Sequence, residues 1–251
     1  MIYHILTLFP EMIEQGLGHS VIKRALDEKK IQLDLVNIRD FAGNKHNHVD
    51  DYPYGGGAGM VMQAKPIFDA YNNIKKRLKA PCPVIYMSPQ GKPFNNEIAK
   101  KYSKLDEMVI LCGHYEGVDE RIIEEIVTEE ISVGDYVLTG GELGAMIVVD
   151  ATSRMIEGVL NKEESHQTDT FEDGLLEYPQ YTRPPQFNGK SVPSVLISGN
   201  HKNVDKWRRE QALKRTLEKR PDLLAKAKLS KSDKKYIAKL LNEAEMKGNT
   251  D

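Results

Sequence analysis

The sequence predicts an α/β protein in which helices cover both faces of a parallel sheet, followed by a small all-helical C-terminal domain. From residue 1 to about residue 156, strand-like and helix-like stretches alternate, which is typical of parallel sheets. Two of the strand-like stretches, residues 84–88 and 108–113, are almost continuously apolar, as expected of strands buried on both faces. With 251 residues, 40% of them hydrophobic, the chain can bury a sizeable core.

The elements of the first part follow in order from this alternation. Apolar, β-branched and aromatic runs predict strands at residues 2–9, 33–41, 84–88, 108–113 and 131–140. Helical periodicity predicts helices at residues 10–30, 64–78, 95–105, 119–127 and 142–156.

Residues 160–190 have neither a helical nor an alternating period and contain three prolines. A long unstructured stretch in a compact protein is usually either disordered or part of a site, and its interleaved Phe171, Tyr178, Tyr181 and Phe187 argue against pure disorder. We therefore predict three parts: residues 1–160, a linker or lid at 161–190, and a helical domain at 191–251.

Two helices are predicted in the C-terminal part. The first covers residues 205–224 and stops near Pro221, and the second covers residues 230–247, capped by Ser230 or Ser232. The second helix has an apolar stripe formed by Tyr236, Ile237, Leu240, Leu241 and Ala244.

The charge is unevenly distributed along the chain. From Asn200 onward there are 15 Lys and Arg against 8 Asp and Glu, net +7, which leaves 20 against 29, net −9, before it. Clustered positive charge indicates a polyanionic partner such as nucleic acid. A solvated helical surface is the alternative.

No run approaches the roughly 18 apolar residues that a membrane span needs, and the chain begins directly with a strand-like stretch. We expect a cytoplasmic protein without membrane contact. Cys82 and Cys112 lie inside apolar runs, so we expect buried thiols, and neither a disulfide nor a cysteine metal site.

Four loops are rich in glycine: residues 54–60, 88–91, 113–117 and 134–144. The last three follow the most apolar strands, and the carboxyl ends of parallel strands are where ligands bind, so these loops could form one pocket. None has the spacing of a dinucleotide or P-loop fingerprint, which favours a ligand such as an adenine ring, held by backbone groups. Ordinary turn glycines are the alternative for any single loop.

Nine phrases together resemble, in order, the bacterial tRNA (guanine-N1)-methyltransferases of the knotted SPOUT class. They are LTLFPEM, YGGGAGM, SPQGKPF, CGHYEGVDER, SVGDYVLTGGELGAM, SHQTDTF, LISGNH, WRREQALKRT and RPDLL. The resemblance covers about residues 1–225. It implies methylation of N1 of guanosine 37, immediately 3′ of the tRNA anticodon.

The resemblance also implies S-adenosylmethionine as methyl donor, bound in a deep trefoil knot near the end of the α/β domain. Alternation alone would have predicted an unknotted sheet. The matching cofactor positions are Tyr86, Met87, Ser88, Pro89, Gln90, Gly91, Gly113, Tyr115, Glu116, Gly117, Ser132, Val133, Gly134, Asp135, Tyr136, Val137, Leu138, Gly140 and Gly141. Gly144 stands where the family's motif has proline, so we expect a looser turn there.

Methylating N1 requires removal of its proton, and a carboxylate suits that task. Negative charge then accumulates on O6, where an arginine can stabilise it. By resemblance, Asp169 is the base and Arg154 the stabiliser, with Glu116 helping to hold the ligands. The target guanine has to leave its base stack, and the 161–190 loop would order as a lid over this guanine.

The remaining implied partners are tRNA and a second copy of the chain, because the family works as a homodimer with a shared site. The implied RNA contacts are Asp50, Gly55, Gly57, Gly59, Arg208, Arg209, Lys214 and Arg215, while Trp207 is expected in the core. A Mg²⁺ requirement is implied too, but no motif locates the ion. His46 and His48 beside Asp50 and Asp51 lack a complete ligand set, so we assign no metal ligand.

Two other readings remain open: a non-catalytic RNA-binding protein with this fold, and an unrelated doubly wound enzyme with a nucleotide cofactor. Retention of Asp169 and Arg154 disfavours the first. The absence of a nucleotide fingerprint disfavours the second.

Overall fold

A five-stranded parallel sheet organises the N-terminal part of the chain in the computed structural model, which describes residues 1–160 and 174–248. The strands are β1 (Ile2–Thr7), β2 (Gln32–Asn37), β5 (Val84–Pro93), β6 (Glu107–Cys112) and β7 (Glu129–Ser132). Their spatial order is β2-β1-β6-β5-β7, and each pairing is parallel. The predicted parallel sheet is confirmed. A separate antiparallel pair, β3 (Asp50–Asp51) and β4 (Val61–Met62), lies between β2 and β5 in sequence.

Helices pack on both faces of this sheet. They are α1 (Pro10–Leu17), α2 (Ser20–Asp27), α3 (Ala64–Lys75), α4 (Asn96–Tyr102), α5 (Glu120–Ile126) and α6 (Glu142–Ser153). Tyr3 and Ile5 of β1 join a buried core with residues of α1, α2, α4 and α6. Leu6 joins a second core with residues of α3 and α5. Alternate residues of one strand thus serve two cores, which explains why five of its six residues are buried.

Three predicted elements were wrong in their bounds. Residues 10–30 form two helices, because Gly18 ends α1 and His19 is extended (φ −134°, ψ 161°). The predicted strand 33–41 ends at Asn37, whose side chain accepts a hydrogen bond from the Arg39 N–H and begins a short 3₁₀ helix, Ile38–Phe41. The predicted strand 131–140 ends at Ser132, and the following apolar residues belong to a loop.

Strand β5 is longer than predicted and is interrupted. Met87 and Lys92 both pair with Ile131 of β7, so residues 88–91 bulge out of the ladder between them. The Ser88 hydroxyl accepts a hydrogen bond from the Gln90 N–H (3.2 Å) inside this bulge. The SPQG loop is therefore an insertion in a strand.

The chain divides into two units, residues 1–163 and 164–251. The described part of the second unit contains β8 (Gln186–Phe187), β9 (Lys190–Ser191), α7 (Ser194–Ile197), α8 (His201–Lys219), α9 (Pro221–Leu224) and α10 (Lys231–Gly248). Strands β8 and β9 form a hairpin that the sequence analysis missed, although Asn188 and Gly189, both at positive φ (48° and 75°), are a typical hairpin turn.

The two predicted C-terminal helices are confirmed. Helix α8 ends just before Pro221, and the Ser230 hydroxyl caps α10 by accepting from the Asp233 N–H (3.1 Å). Asp233 returns a bond by accepting from the Ser230 N–H (2.9 Å), which completes a reciprocal cap. Tyr236 and Ile237 pack on the small core of this unit. Leu241 is half exposed, and the Ala244 side chain lies outside the described part.

Within residues 1–160 and 174–248, no helix has the length and apolar composition that crossing a bilayer requires. Both cysteines are free: Cys112 is fully buried, as predicted, whereas Cys82 is only partly buried.

Candidate active site

A cavity of about 390 Å³ lies where the loops after β6 and β7 meet the bulge of β5. Its walls come from residues 86–90, 113–118, 130–134 and 136–141, with Glu120 and Ile123 of α5 and Gly144 of α6. The three glycine loops at the strand ends therefore converge on one pocket, at the position where parallel sheets bind ligands. The volume is in the range of small-molecule sites.

Most of the positions suggested by resemblance as cofactor contacts line this cavity. They are Tyr86, Met87, Ser88, Pro89, Gln90, Gly113, Tyr115, Glu116, Gly117, Ser132, Val133, Gly134, Tyr136, Val137, Leu138, Gly140 and Gly141. Gly91 and Asp135 are not in the lining. A Cβ on Gly91 would overlap the backbone of Ile131, so this glycine lets the bulge return to β7.

The loop after β7 forms a wall of the cavity, which explains its strand-like composition. Val137 is 86% exposed and Tyr136 is half exposed, so neither is part of the hydrophobic core. Both nevertheless line the cavity. A loop that contributes apolar side chains to a pocket can have the same amino-acid composition as a strand, and sequence periodicity could not distinguish the two.

The glycines permit close approach between loops. A Cβ at Gly113 would stand 2.9 Å from the Tyr86 hydroxyl oxygen, and one at Gly141 would stand 2.7 Å from the Cys112 Cα. The Gly141 N–H donates to the Gly113 carbonyl (2.9 Å), and His114 forms a bridge with Gly140. The loops after β6 and β7 are thus bonded to each other at the base of the cavity.

A hydrogen-bonded network lies beside these glycines. Nε2 of His114 is 2.6 Å from Oε2 of Glu142, and the Thr7 hydroxyl donates to Oε1 of Glu142 (2.6 Å). The sequence analysis missed both His114 and Glu142. The available signal was a glutamate directly after paired glycines, at the start of an apolar helix where a charge would be buried.

The sequence analysis expected Gly144 in a loop turn. It lies instead in the first helical turn of α6. A Cβ at this position would meet the terminal methyl carbon of Met87 at 2.9 Å. A proline is tolerated in the first turn of a helix, so the proline of the family's motif is compatible with the same backbone.

The lining residue Tyr86 and the neighbouring Cys112 have perturbed acidity. Burial raises the pKa of the Tyr86 phenol, and the charges of Glu130 and Glu120 raise it further, so this side chain is neutral at physiological pH. Burial, assisted by the charge of Glu142, holds the pKa of the Cys112 thiol well above its usual value. Cys112 is therefore an inert packing group.

The loop of residues 54–60 borders the cavity through backbone pairing. Met60 accepts from the Glu116 N–H (2.9 Å), and the Met62 N–H donates to Gly117 (2.9 Å). A Cβ on Gly59, which has φ of 84°, would stand 2.6 Å from Cγ of Glu116. Asp50 is half-buried in β3, next in sequence to this loop.

Arg154 does not line the cavity. Arg154 is exposed at the C-terminal end of α6, and ten residues separate it from Gly144, a distance of about 15 Å along a helix. Asp169 lies outside the described residues.

An exposed apolar surface lies on α1, α6 and the residue before α1. It consists of Phe9 (43% exposed), Met12 (40%), Leu143 (43%) and Ile147 (44%). The two helices pack directly, because a Cβ on Gly16 would overlap the sulfur of Met146. Side chains of this size on neighbouring helices indicate an interaction site.

The predicted RNA-binding residues of the second unit make contacts within that unit. Arg209 bonds Asp233 (Nη2 to Oδ2, 3.0 Å), and Arg215 donates to the Glu177 carbonyl (3.5 Å). The Arg208 guanidinium lies 5.0 Å from the centre of the Tyr178 ring. Lys214 extends into solvent near Glu218. Trp207 is half-buried beside Tyr181, with ring centres 6.3 Å apart.

His46 and His48 have ring centres 5.8 Å apart. Among the residues that the structure describes, no group of three or more histidine, cysteine or carboxylate side chains could hold a metal ion.

Comparison with known proteins identifies the family. The sequence family described as tRNA (Guanine-1)-methyltransferase TrmD matches residues 1–226. A protein of Alkaliphilus metalliredigens (strain QYMF) named tRNA (guanine-N(1)-)-methyltransferase is 54% identical over 243 residues, which are 96% of this chain and 98% of that relative. Relatives of the same name from Staphylococcus carnosus (strain TM300) and Staphylococcus aureus (strain MRSA252) are each 57% identical over 232 residues, 92% of this chain and 94% of each relative. The chain therefore belongs to the tRNA (guanine-1)-methyltransferase family.

Proposed function

We propose that this protein transfers a methyl group from S-adenosylmethionine to N1 of guanosine 37 in tRNA, immediately 3′ of the anticodon. The observation that carries the proposal is the convergence of three glycine loops on one cavity in a chain of this family. The relatives are named for methylation of guanine N1 in tRNA. Position 37 is the part that rests on the resemblance of the motifs.

The cavity suits the methyl donor chemically. Its walls combine apolar side chains, such as Met87 and Leu138, with backbone segments left open by Gly113, Gly140 and Gly141. Exposed backbone N–H and C=O groups can read the edge of an adenine ring, and apolar side chains can cover its faces. When bound, this donor supplies an electrophilic methyl group on a positive sulfur. Residues 86–90, 113–117 and 132–141 would hold it.

A trefoil knot is part of the proposal. The close passage of Gly141 past Cys112 is compatible with it, because glycine lets one backbone segment thread closely past another.

Asp169 would accept the N1 proton as the new bond forms, and Arg154 would donate hydrogen bonds to O6, where negative charge accumulates. Glu116, beside the 54–60 loop, would help to orient the nucleotide, together with Asp50, Gly55, Gly57 and Gly59. The 161–190 segment would close over the base as a lid.

The site is proposed to be shared between two subunits. Arg154 is about 15 Å from Gly144 along α6, too far to serve the cavity of its own chain. The apolar surface of Phe9, Met12, Leu143 and Ile147 lies on the N-terminal half of α6 and on and just before α1, whereas Arg154 follows the C-terminal end of α6. A second copy that covers this surface would bring its own Arg154 and Asp169 to the cavity.

The basic C-terminal unit is proposed to grip the tRNA backbone. Its net charge of +7 from Asn200 onward gives the required sequence-independent attraction. Lys214 is the freest of the four assigned side chains to contact phosphate, since Arg208, Arg209 and Arg215 are held by Tyr178, Asp233 and Glu177. A Mg²⁺ requirement and a cytoplasmic location remain predictions.

The test is a methylation assay on tRNA transcripts, with nucleoside analysis by mass spectrometry. The expected product is 1-methylguanosine from the wild-type transcript and none from a transcript with guanosine 37 replaced. A transcript changed at the 5′ neighbour, position 36, is the matched control for anticodon-loop context. If methylation persists after replacement of guanosine 37, another guanosine is the target. Binding of tRNA and S-adenosylhomocysteine without product would favour a non-catalytic RNA-binding protein.

A further inference from the structure

The carboxylate of Glu142 is buried, and the proposed reaction does not use it. Its side chain is 1% exposed, and it begins α6 directly after Gly141 of the cavity wall. An isolated buried carboxylate is costly unless several donors satisfy it. Here the Thr7 hydroxyl and Nε2 of His114 each lie 2.6 Å from one of its oxygens. Its place at a helix N-terminus adds favourable backbone dipoles.

These contacts connect three separate chain segments. Thr7 ends β1, His114 belongs to the loop after β6, and Glu142 begins α6. An ionised carboxylate only accepts hydrogen bonds, so Nε2 of His114 carries the hydrogen in this pair. The Thr7 hydroxyl oxygen also accepts from the Phe9 N–H (2.9 Å), and the Phe9 ring lies 5.0 Å from the His114 ring. The imidazole is therefore held by a hydrogen-bonded carboxylate and an aromatic ring.

The pair adjoins the backbone that lines the cavity. His114 stands between Gly113 and Tyr115, and all three residues line the cavity. A Cβ on Gly140 would overlap the His114 ring and would stand 2.7 Å from Oε2 of Glu142. Gly140 therefore passes directly beside the hydrogen-bonded His114–Glu142 pair, so that a shift of the imidazole would alter the contact between the two loops.

We propose that His114 and Glu142 act as a positioning pair that fixes the loop of residues 113–117 against Gly140 and Gly141, so that the cavity is preorganised for the methyl donor. A preorganised site binds more tightly because less ordering occurs on binding. This inference rests on the proposed function for the identity of the ligand. Neither side chain takes part in the proton transfer.

The first test measures S-adenosylhomocysteine binding by calorimetry in His114→Ala, with His19→Ala as the matched control. His19 is an exposed histidine whose side chain caps nothing. Loss of a hydrogen bond to a charged group corresponds to at least about a tenfold weaker affinity. We expect that loss for His114→Ala, and an unchanged affinity for His19→Ala.

A second variant separates positioning from general destabilisation. In Glu142→Gln the amide can still accept from Thr7 and donate to a neutral imidazole, so the affinity should fall less than in His114→Ala. The double variant should lose less than the product of the two single losses, because both changes act on one interaction. If the loss of affinity in the double variant equals the product of the two single losses, the proposal is wrong.

Hydrogen exchange of the ligand-free protein gives a readout independent of the ligand. Backbone amides of residues 113–117 and 138–141 should exchange faster in His114→Ala than in the wild type, while those of β1 and β6 keep their protection. If His114→Ala binds S-adenosylhomocysteine as the wild type does, or if these amides do not change, the positioning role is wrong. If the wild type itself fails to bind, the proposed function is wrong, and faster exchange in the two loops would still show that the pair holds them together.

Discussion

Gly141 lies against the backbone of Cys112, so that a Cβ at position 141 would stand 2.7 Å from the Cys112 Cα. The contact joins the segment that leaves β7 to the end of β6, and the Gly141 N–H donates to the Gly113 carbonyl at the same point. Backbone atoms on both sides cannot move aside as a flexible side chain can. The glycine is therefore required by packing between two loops of the cavity.

We expect Gly141→Ala to destabilise the protein by about 1–3 kcal/mol, the range for overpacking in a dense interior. Binding of S-adenosylhomocysteine should also weaken severely, because the loops after β6 and β7 must separate to make room for the methyl side chain of the new alanine. Urea unfolding and calorimetry measure the two effects. Gly189→Ala is a control for the binding measurement: alanine at a φ of 75° strains the hairpin turn and lowers stability, but nothing lies within 4 Å of its Cβ position, so the ligand affinity should stay unchanged. Normal binding by Gly141→Ala would mean that the loops are not rigidly joined.

Gly144→Ala should behave in the opposite way. Position 144 is in the first turn of α6, and the added methyl meets only the terminal carbon of Met87, at 2.9 Å. Replacing a helical glycine by alanine gains about 0.5–1 kcal/mol when no contact is strained, and the Met87 side chain has the rotatable bonds to adapt. We expect a higher unfolding free energy and a ligand affinity within about threefold of the wild type. A loss of more than about 1 kcal/mol would show that Met87 cannot move.

The sequence predicted the parallel sheet and the convergence of loops because both follow from local patterns. Apolar runs such as residues 108–113 mark buried strands, and glycines at their ends mark places where backbones approach a ligand or each other. The family motifs placed the cofactor positions by resemblance, and most of these positions line one cavity.

What the sequence could not show depends on tertiary contacts. The loop that contains Tyr136 and Val137 has strand-like letters because it forms a pocket wall. The partnership of His114 with Glu142 joins residues 28 positions apart, and that of Thr7 with Glu142 joins residues 135 apart. Neither pairing has a local spacing that a single sequence could reveal.

The stability of the C-terminal unit should depend on pH through Asp233. Burial opposes ionisation of this carboxyl, but hydrogen bonds from Arg209 and Ser230 outweigh it and lower the pKa. A lowered pKa in the folded state stabilises the fold above the ordinary aspartate value of about 3.9, and that contribution is lost as the pH falls below it.

Asp233→Asn should therefore lower the melting temperature of this unit at pH 7 and have a smaller effect at pH about 2, below the ordinary aspartate pKa, where the contribution of the native carboxylate declines. Differential scanning calorimetry at the two pH values measures this. Asp205→Asn, an exposed carboxylate on α8, is the control. An equal effect at both pH values would mean that the hydrogen-bonding geometry matters and the charge does not.

Asp169→Asn should nearly abolish methyl transfer, because an amide cannot accept the N1 proton. The affinity for S-adenosylhomocysteine should stay within a few fold, since the cavity lies in other segments. Single-turnover methylation and calorimetry measure the two quantities. Asp27→Asn, which removes an exposed carboxylate near Lys23, should leave both unchanged. Full activity of Asp169→Asn would remove this residue from the base role.

Complementation between two inactive variants tests whether the site is shared. Consider a mixed dimer of one Asp169→Asn subunit and one Gly141→Ala subunit. The cavity of the Asp169→Asn subunit is intact, and it faces the unchanged Asp169 of the Gly141→Ala subunit. Random 1:1 exchange of subunits makes half of the dimers mixed, each with one working site of two, so we expect about a quarter of the wild-type activity. Each variant alone should be inactive.

Adding Ile147→Asp to both variants places a charge in the exposed apolar surface of α6. It should abolish the recovered activity and give a monomer by light scattering. A stable mixed dimer without recovered activity would place each active site within a single chain. Recovery that persists with Ile147→Asp would mean that another surface joins the subunits.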